Sequence, residues 1–233
     1  MPLSNHLVVF LLLIGIWSSE SRIGFAAKLP EGFVDAAEVV PSLVVELRYL
    51  TNDNFVGQPV DGYVKPRCIL TREAAVALKR VQAELAPFRL GLKVFDAYRP
   101  QQAVDHFVRW SQEKDDPRKK EQFYPQVAKS ALFGEGYIAA RSSHSRGSTV
   151  DLTLVALTAG KPANELDMGT PFDFFGRQSW TSYAKLTPQQ RANRLLLREV
   201  MTKHGFRPYS KEWWHFTLLD EPYPETYYNF PVE

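Results

Sequence analysis

The sequence predicts a single α+β domain. Two observations carry that expectation: helical and strand periodicities intermix along one stretch, and the late strands follow one another as a hairpin would, unlike a doubly wound sheet. No internal repeat and no Gly-, Ser- or Pro-rich linker divides the chain. At 233 residues, 45% hydrophobic and 23% charged, it is neither disordered nor collagen-like. Lys plus Arg exceed Asp plus Glu by only 28 to 26, with no long basic run, which argues against a nucleic-acid partner held through phosphates. The one cysteine, Cys68, can form no intramolecular disulfide and belongs to no CxxC pair, so any metal must sit on His, Asp or Glu; Cys68 itself reads as a buried small hydrophobe.

The first element is not part of the fold. Leu7 to Trp17 is purely apolar but too short to cross a bilayer comfortably, and Gly24 and Ala26 make an A-x-A-like site, so a signal peptide cleaved after Ala26 is expected, leaving 27–233 as the domain with no membrane span. Met1 to His6 carries no Lys or Arg, which keeps an uncleaved anchor or a misassigned start open as alternatives; no cysteine lies near the cut, which excludes a lipoprotein. Thr71 then suits the N-cap of a helix with Ala74, Leu78, Val81 and Leu85 on one face and Pro87 as its stop. Gly91 to Tyr98 reads as a strand, and Pro100 suits the first turn of a helix that buries Val104, Phe107 and Val108, so Arg99 falls at a strand-to-helix junction. Ser111 to Pro125, charged and broken by proline, reads as a solvated loop.

Ser148 to Leu157 alternates and is β-branched, predicting a strand with Asp151 near its start, followed by a long loop. Thr187-Pro188-Gln189-Gln190 is a capping box with proline at its first helical position, opening a helix through Leu195, Leu196 and Val200 to Gly205. Trp213 to Leu219 is the last strand, and the aromatic, proline-rich tail from Pro222 to Pro231 is expected to pack over the domain as irregular structure.

Of the five histidines, His6 lies in the leader, His204 reads as a helix C-terminal residue near free carbonyls, and His106 as a surface or satisfied histidine. His144 differs, because it sits in a small polar loop that leads through Gly147 into the strand carrying Asp151. A turn at Gly147 lets the loop imidazole and the strand carboxylate meet one ion, and Glu212-Trp213-Trp214-His215 supplies a third ligand with a spare acid three residues earlier. The bland alternative is an Asp bonded to loop amides, a surface His and a strand-end Glu; Trp213 and Trp214 read as core. Two imidazoles and one carboxylate hold Zn²⁺ with a fourth position open, where a bound water's pKa falls to around 7. Glu212 can then shuttle the proton during attack on an amide, and Arg99 can stabilise the developing oxyanion. Residues three apart on an ideal strand face opposite sides, so Glu212 and His215 converge only across a bulge or where regular pairing has not begun. Such an irregularity is predicted.

The signatures Ser-x-His-x-x-Gly-x-x-x-Asp at 142–151 and Glu-x-Trp-His at 212–215 resemble those of the zinc D-Ala-D-Ala peptidases. From about Phe33 to Val232 the chain is similar to the D-Ala-D-Ala dipeptidases of the vancomycin-resistance type, through Glu46-Leu47-Arg48-Tyr49, Asp53-Asn54-Phe55-Val56-Gly57, Val60-Asp61-Gly62-Tyr63, Asp96-Ala97-Tyr98-Arg99-Pro100, Phe172-Asp173-Phe174 and Asp220-Glu221-Pro222-Tyr223-Pro224. The resemblance implies an α+β domain with a central, mainly antiparallel sheet flanked by helices. It also implies one zinc per subunit on His144, Asp151 and His215, Glu212 as general base and acid, Arg99 polarising the scissile carbonyl, and D-Ala-D-Ala as substrate. By the same resemblance Asp173 holds the dipeptide's ammonium, with Tyr49 and Ser142 lining the pocket; the residues alone suggest only loop and core positions for those three. A D,D-carboxypeptidase or endopeptidase on wall stem peptides is the enzymatic alternative, and a noncatalytic wall-peptide-binding module the other. The leader adds the expectation of an exported, periplasmic protein that recycles wall-derived dipeptide. Oligomeric state is left open.

Overall fold

The structure is a computed structural model describing residues 28–158 and 161–233, with the side chains of 161–163 left aside. The expected signal segment and its cleavage after Ala26 lie outside the described residues. The chain opens with β1 (Phe33–Asp35) and a single helical turn, α1 (Ala36–Val39), capped by the Asp35 carboxylate accepting from Ala37 N. Next come β2 (Val44–Val45) and β3 (Ile69–Thr71), then α2 (Arg72–Leu85), where the Thr71 hydroxyl accepts from Ala74 N as the sequence predicts. Leu90–Asp96 forms β4, and α3 (Gln101–Ser111) follows with Pro100 as its N-cap. That helix buries Val104 and Phe107, but Trp110 rather than Val108 completes its inner face.

Two expectations about loops are corrected. Within Ser111–Pro125 the structure forms α4 (Pro117–Phe123), because Asp116 caps it by accepting from Arg118 N and Pro117 is tolerated in the first turn; Phe123 is buried. After β5 (Thr149–Thr158), the stretch read as loop returns as β6 (Lys161–Glu165), antiparallel to the far end of β5. The capping box then opens α5 (Pro188–Lys203), with both reciprocal hydrogen bonds present. Leu195 and Leu196 are 41% and 40% exposed, so the helix turns Leu197, Val200 and Met201 inward instead. His204 at its end bonds Glu84 at 2.8 Å rather than free carbonyls. β7 (Phe206–Tyr209) and β8 (Glu212–Leu218) close the fold as a hairpin.

The main sheet runs in the order β2-β4-β5-β8-β7, with β6 beside β5, and every pairing except β2 with β4 is antiparallel. β1 and β3 form a separate antiparallel pair. This mixed, mainly antiparallel architecture is the predicted α+β class. Among the described residues no helix is long and apolar enough to cross a membrane. The tail packs as expected: Phe230 stacks on Tyr98 at 4.1 Å between ring centroids, and Tyr228 meets Phe33 edge to face at 4.9 Å. Cys68 is fully buried, and burial pushes its thiol well above the ordinary range, so it is an inert packing residue.

Register is what places the chemistry. Asp96 on β4 lies opposite Asp151 on β5, and Asp151 lies opposite His215 on β8, so three polar residues form one row across three neighbouring strands. Two carboxylates facing one another across a ladder repel. The row is tolerable only if cations sit against it.

A candidate metal centre at the end of the sheet

The loops leaving this end of the sheet deliver those cations and the remaining ligand. Ser142 caps the turn Ser143–Arg146, its hydroxyl accepting from His144 N, and Gly147 ends the turn at φ 80°. A Cβ on Gly147 would stand 2.2 Å from Phe33 Cε1, so the position requires glycine for both conformation and space. The turn drives the His144 ring inward, where Nδ1 donates to Ala97 O at 2.7 Å. That bond fixes the tautomer and leaves the Nε2 lone pair facing Asp151 Oδ1 at 3.3 Å and His215 Nδ1 at 3.3 Å. His215 Nδ1 is in turn 3.1 Å from Asp151 Oδ1.

Two donors bound at about 2.0–2.1 Å to a tetrahedral ion lie about 3.3 Å apart. The triangle of His144 Nε2, His215 Nδ1 and Asp151 Oδ1 already has edges of 3.1 to 3.3 Å. Among the described residues Asp151 Oδ1 is buried without a hydrogen-bond partner, the signature of an acceptor awaiting a cation. Burial resists ionisation of Asp151, but the two imidazoles outweigh it and hold the carboxyl well below the usual range. Burial also lowers His215, favouring the neutral ring a metal needs. The donor set therefore fits a tetrahedral divalent metal with one face open.

That face opens on Glu212. Between Pro208 paired with Phe216 and Tyr209 paired with Glu212, β7 advances one residue while β8 advances four, the irregularity that facing demanded. Glu212 Oε2 thereby reaches within 3.5 Å of His215 Nδ1. Burial, then Asp151 and Asp173, push the Glu212 carboxyl well above its usual value. Trp213 and Trp214 are buried in the core, as the sequence suggests.

Arg99 stands on the other side. Its Nε and Nη2 donate to Asp96 Oδ2 at 2.9 and 2.8 Å, Nη2 lies 3.5 Å from Asp151 Oδ2, and Nη1 reaches Ser142 Oγ at 3.5 Å. The guanidinium so relieves the facing carboxylates and leaves Nη1 toward the cavity, its face packed over Tyr49 and Phe107. At the far wall Asp173 is 3% exposed, and its Oδ2 accepts from Tyr49 OH at 2.9 Å. It holds a left-handed backbone at φ 60°, rare for a residue with a side chain. Burial, then Asp151, raises its carboxyl well above normal.

All eight residues singled out in the sequence, Tyr49, Arg99, Ser142, His144, Asp151, Asp173, Glu212 and His215, line one cavity of about 220 Å³. Reasoning from residue types missed Asp96, which anchors both Arg99 and, at 3.5 Å, His144, and Tyr63, whose hydroxyl donates to Asp96 at 2.6 Å. The Asp-x-x-Arg spacing ahead of Pro100 was the available signal.

The sequence profile of the M15 peptidases, described as D-ala-D-ala dipeptidase, matches residues 30–233. The D-alanyl-D-alanine dipeptidase of Enterococcus faecalis is 42% identical over 204 residues, spanning 88% of this chain and 100% of that protein. The D-alanyl-D-alanine dipeptidase of Streptomyces coelicolor is 44% identical over 200 residues, spanning 86% and 96%. A solved vancomycin-resistance D,D-pentapeptidase with Zn(II) aligns more remotely, at a TM-score of 0.39 and 15% identity over 67% of this chain and 76% of that one.

Proposed function

The chain belongs to the M15 D-Ala-D-Ala dipeptidase family, and on that footing we propose that it hydrolyses D-Ala-D-Ala to two D-alanines with zinc held by His144, Asp151 and His215. The observation that carries the reading is the donor triangle with edges of 3.1 to 3.3 Å, flanked by Glu212 and Arg99. A divalent ion held by His144, Asp151 and His215 would supply Lewis acidity to the reaction. Glu212 accepts the proton released as water attacks and returns it to the departing amine, a task suited to a carboxyl raised by burial. Arg99 Nη1, fixed by the grip of Asp96 on the rest of the guanidinium, donates to the carbonyl oxygen as it becomes an oxyanion.

Substrate class follows from the buried carboxyl of Asp173 on the cavity wall. A substrate ammonium at Asp173 gains a charge-assisted bond in a buried site, whereas a further peptide residue there would set an uncharged amide against a buried carboxyl already bonded by Tyr49. The arrangement favours a free dipeptide over a wall stem peptide. We further propose that the protein is exported to the periplasm and recycles wall-derived dipeptide, supported by the apolar Leu7–Trp17 stretch and the small residues before Ala27.

The test is metal analysis of the purified protein combined with hydrolysis of D-Ala-D-Ala, L-Ala-L-Ala and a stem pentapeptide. One zinc per chain and a rate preference for the D,D-dipeptide are expected. Preference for the pentapeptide, or turnover that survives complete metal removal, overturns the reading.

A further inference from the structure

The inner face of α5 is apolar from Leu197 onward, yet one turn earlier it buries Asn193 and Arg194, 6% and 8% exposed. Arg194 has no carboxylate within ion-pair distance among the described residues; instead its three nitrogens all donate to backbone carbonyls. Nε reaches Met168 O at 2.6 Å, Nη2 reaches Gln178 O at 2.9 Å and Nη1 reaches Trp180 O at 3.2 Å. Those carbonyls belong to the two ends of one segment, and Asp173 lies between them. A buried guanidinium without an anion is an expensive way to fill a core position, and burial brings its pKa down to about 10. Apolar side chains of that volume pack more cheaply, so the fork geometry is what the position uses.

Neighbouring contacts pull the same way. Asn193 Nδ2 donates to Asp167 O at 2.9 Å, and Gln190 Nε2 to the Asp167 carboxylate at 2.9 Å. Within the segment, Ser179 Oγ donates to Phe174 O at 2.6 Å and pairs with Thr170 Oγ1 at 2.9 Å, which itself accepts from Trp213 Nε1. The strained left-handed backbone of Asp173 persists only if its surroundings over-determine it. Among the described residues Asp173 itself contributes one side-chain bond, from Tyr49, which cannot hold the backbone.

We propose that Arg194 is a positioning residue for substrate recognition: by clamping Met168, Gln178 and Trp180 it holds the segment that presents Asp173 to the ammonium of the substrate. The proposal rests on the dipeptidase reading for the role of Asp173, but the clamp itself can be tested without activity. Arg194→Lys keeps the charge and cannot fork to three carbonyls; Arg194→Gln keeps one donor and removes the charge.

The first measurement is backbone hydrogen exchange on the zinc-loaded full chain. In both variants the amides of 169–177 should exchange on the order of tenfold faster, the effect of losing about one charge-assisted bond, while those of β5 keep wild-type rates. The second is steady-state hydrolysis of D-Ala-D-Ala. KM should rise on the order of tenfold with kcat changed less than about threefold, since the proton shuttle and the oxyanion donor are untouched. Unchanged exchange in 169–177 overturns the clamp. Faster exchange there with unchanged KM, or a fall in kcat alone, overturns its role in recognition, and exchange that quickens equally in β5 assigns Arg194 to global stability. If wild-type protein does not cleave the dipeptide, the dipeptidase reading fails while the exchange result still decides the clamp.

Discussion

Removing the Arg99 side chain should damage the protein in two separable ways. Asp96 is fully buried, and its Oδ2 takes both close donors from Arg99, at 2.9 and 2.8 Å, while Oδ1 keeps the bond from Tyr63. Arg99→Ala therefore strands half of a buried carboxylate opposite Asp151. Breaking a buried pair from one side costs about 3–5 kcal/mol. For a chain of this size each kcal/mol shifts Tm by about 2–4 °C, so the fall should be roughly 6–20 °C. Asp96→Asn is milder, because Arg99 retains Asp151 at 3.5 Å and the amide still bonds Tyr63. In the double variant no charge is stranded at Asp96, and the two losses should fall short of their sum by about 0.5–3 kcal/mol. Activity should behave otherwise: Arg99→Ala should lower kcat on the order of 10²–10³-fold, the scale of one oxyanion donor, and Asp96→Asn should not restore it. Urea unfolding of the zinc-loaded proteins and steady-state kinetics measure both. Losses additive within about 0.5 kcal/mol would refute the pairing, and recovery of kcat in the double variant would refute the carbonyl contact.

Glu212→Gln should keep wild-type metal content while kcat falls on the order of 10²–10⁴-fold, as expected for loss of a proton shuttle; a near-normal rate sinks the assignment. Chelation should lower Tm of the wild type, because each tenfold of free zinc above its dissociation constant contributes about 1.4 kcal/mol to the folded state, and His215→Ala should bind less metal and lose most of that response. Glu84 is held below the usual carboxylate range by its bonds to Lys203 and His204. A depressed folded value adds stability above the unfolded pKa that is lost as pH falls through the folded one, so the Tm gap between wild type and Glu84→Gln should be open at pH 7 and close in acid. A gap that widens toward low pH contradicts that sign.

What was legible in the sequence is what local chemistry dictates. The caps at Thr71 and Thr187, the proline at helix entry and the β-branched run into β5 each act within a few residues, and each forms where expected. The α4 turn is hard to read because charge and proline are also loop signals, although Asp116-Pro117 is a good helix start. β6 escaped because its partner is the exposed far end of β5, and the pairing decides it more than its own residues do. Leu195 and Leu196 misled for the opposite reason. A run of three leucines satisfies two helix faces at once, and only the tertiary demand for Asn193 and Arg194 inside selects between them.

The candidate metal cluster was legible because coordination needs residue types that few other roles favour together, and because Gly147 announces a tight turn before a strand. Asp173 was not, since its identity as a site residue depends on a backbone conformation and on burial, neither of which a side chain advertises. Between two phenylalanines an aspartate at φ 60° reads as any loop residue. The distances supply the missing reason: the Tyr49 hydroxyl at 2.9 Å and the carbonyl clamp at Arg194 come from elements more than a hundred residues and about twenty residues away in the chain. Asp96 is the intermediate case. It stands next to a legible Arg, but only the register of β4 against β5 reveals that it faces Asp151, and hence that Arg99 serves two carboxylates at once. A fold that sets two acids opposite each other at one sheet end, with a guanidinium and two imidazoles closing on them, is stable at neutral pH only while positive charge occupies that end. Metal affinity and the stability of the metal-free protein should therefore move in opposite directions across substitutions of Asp151, and a variant that lost metal while gaining stability after chelation would be the expected signature of that trade.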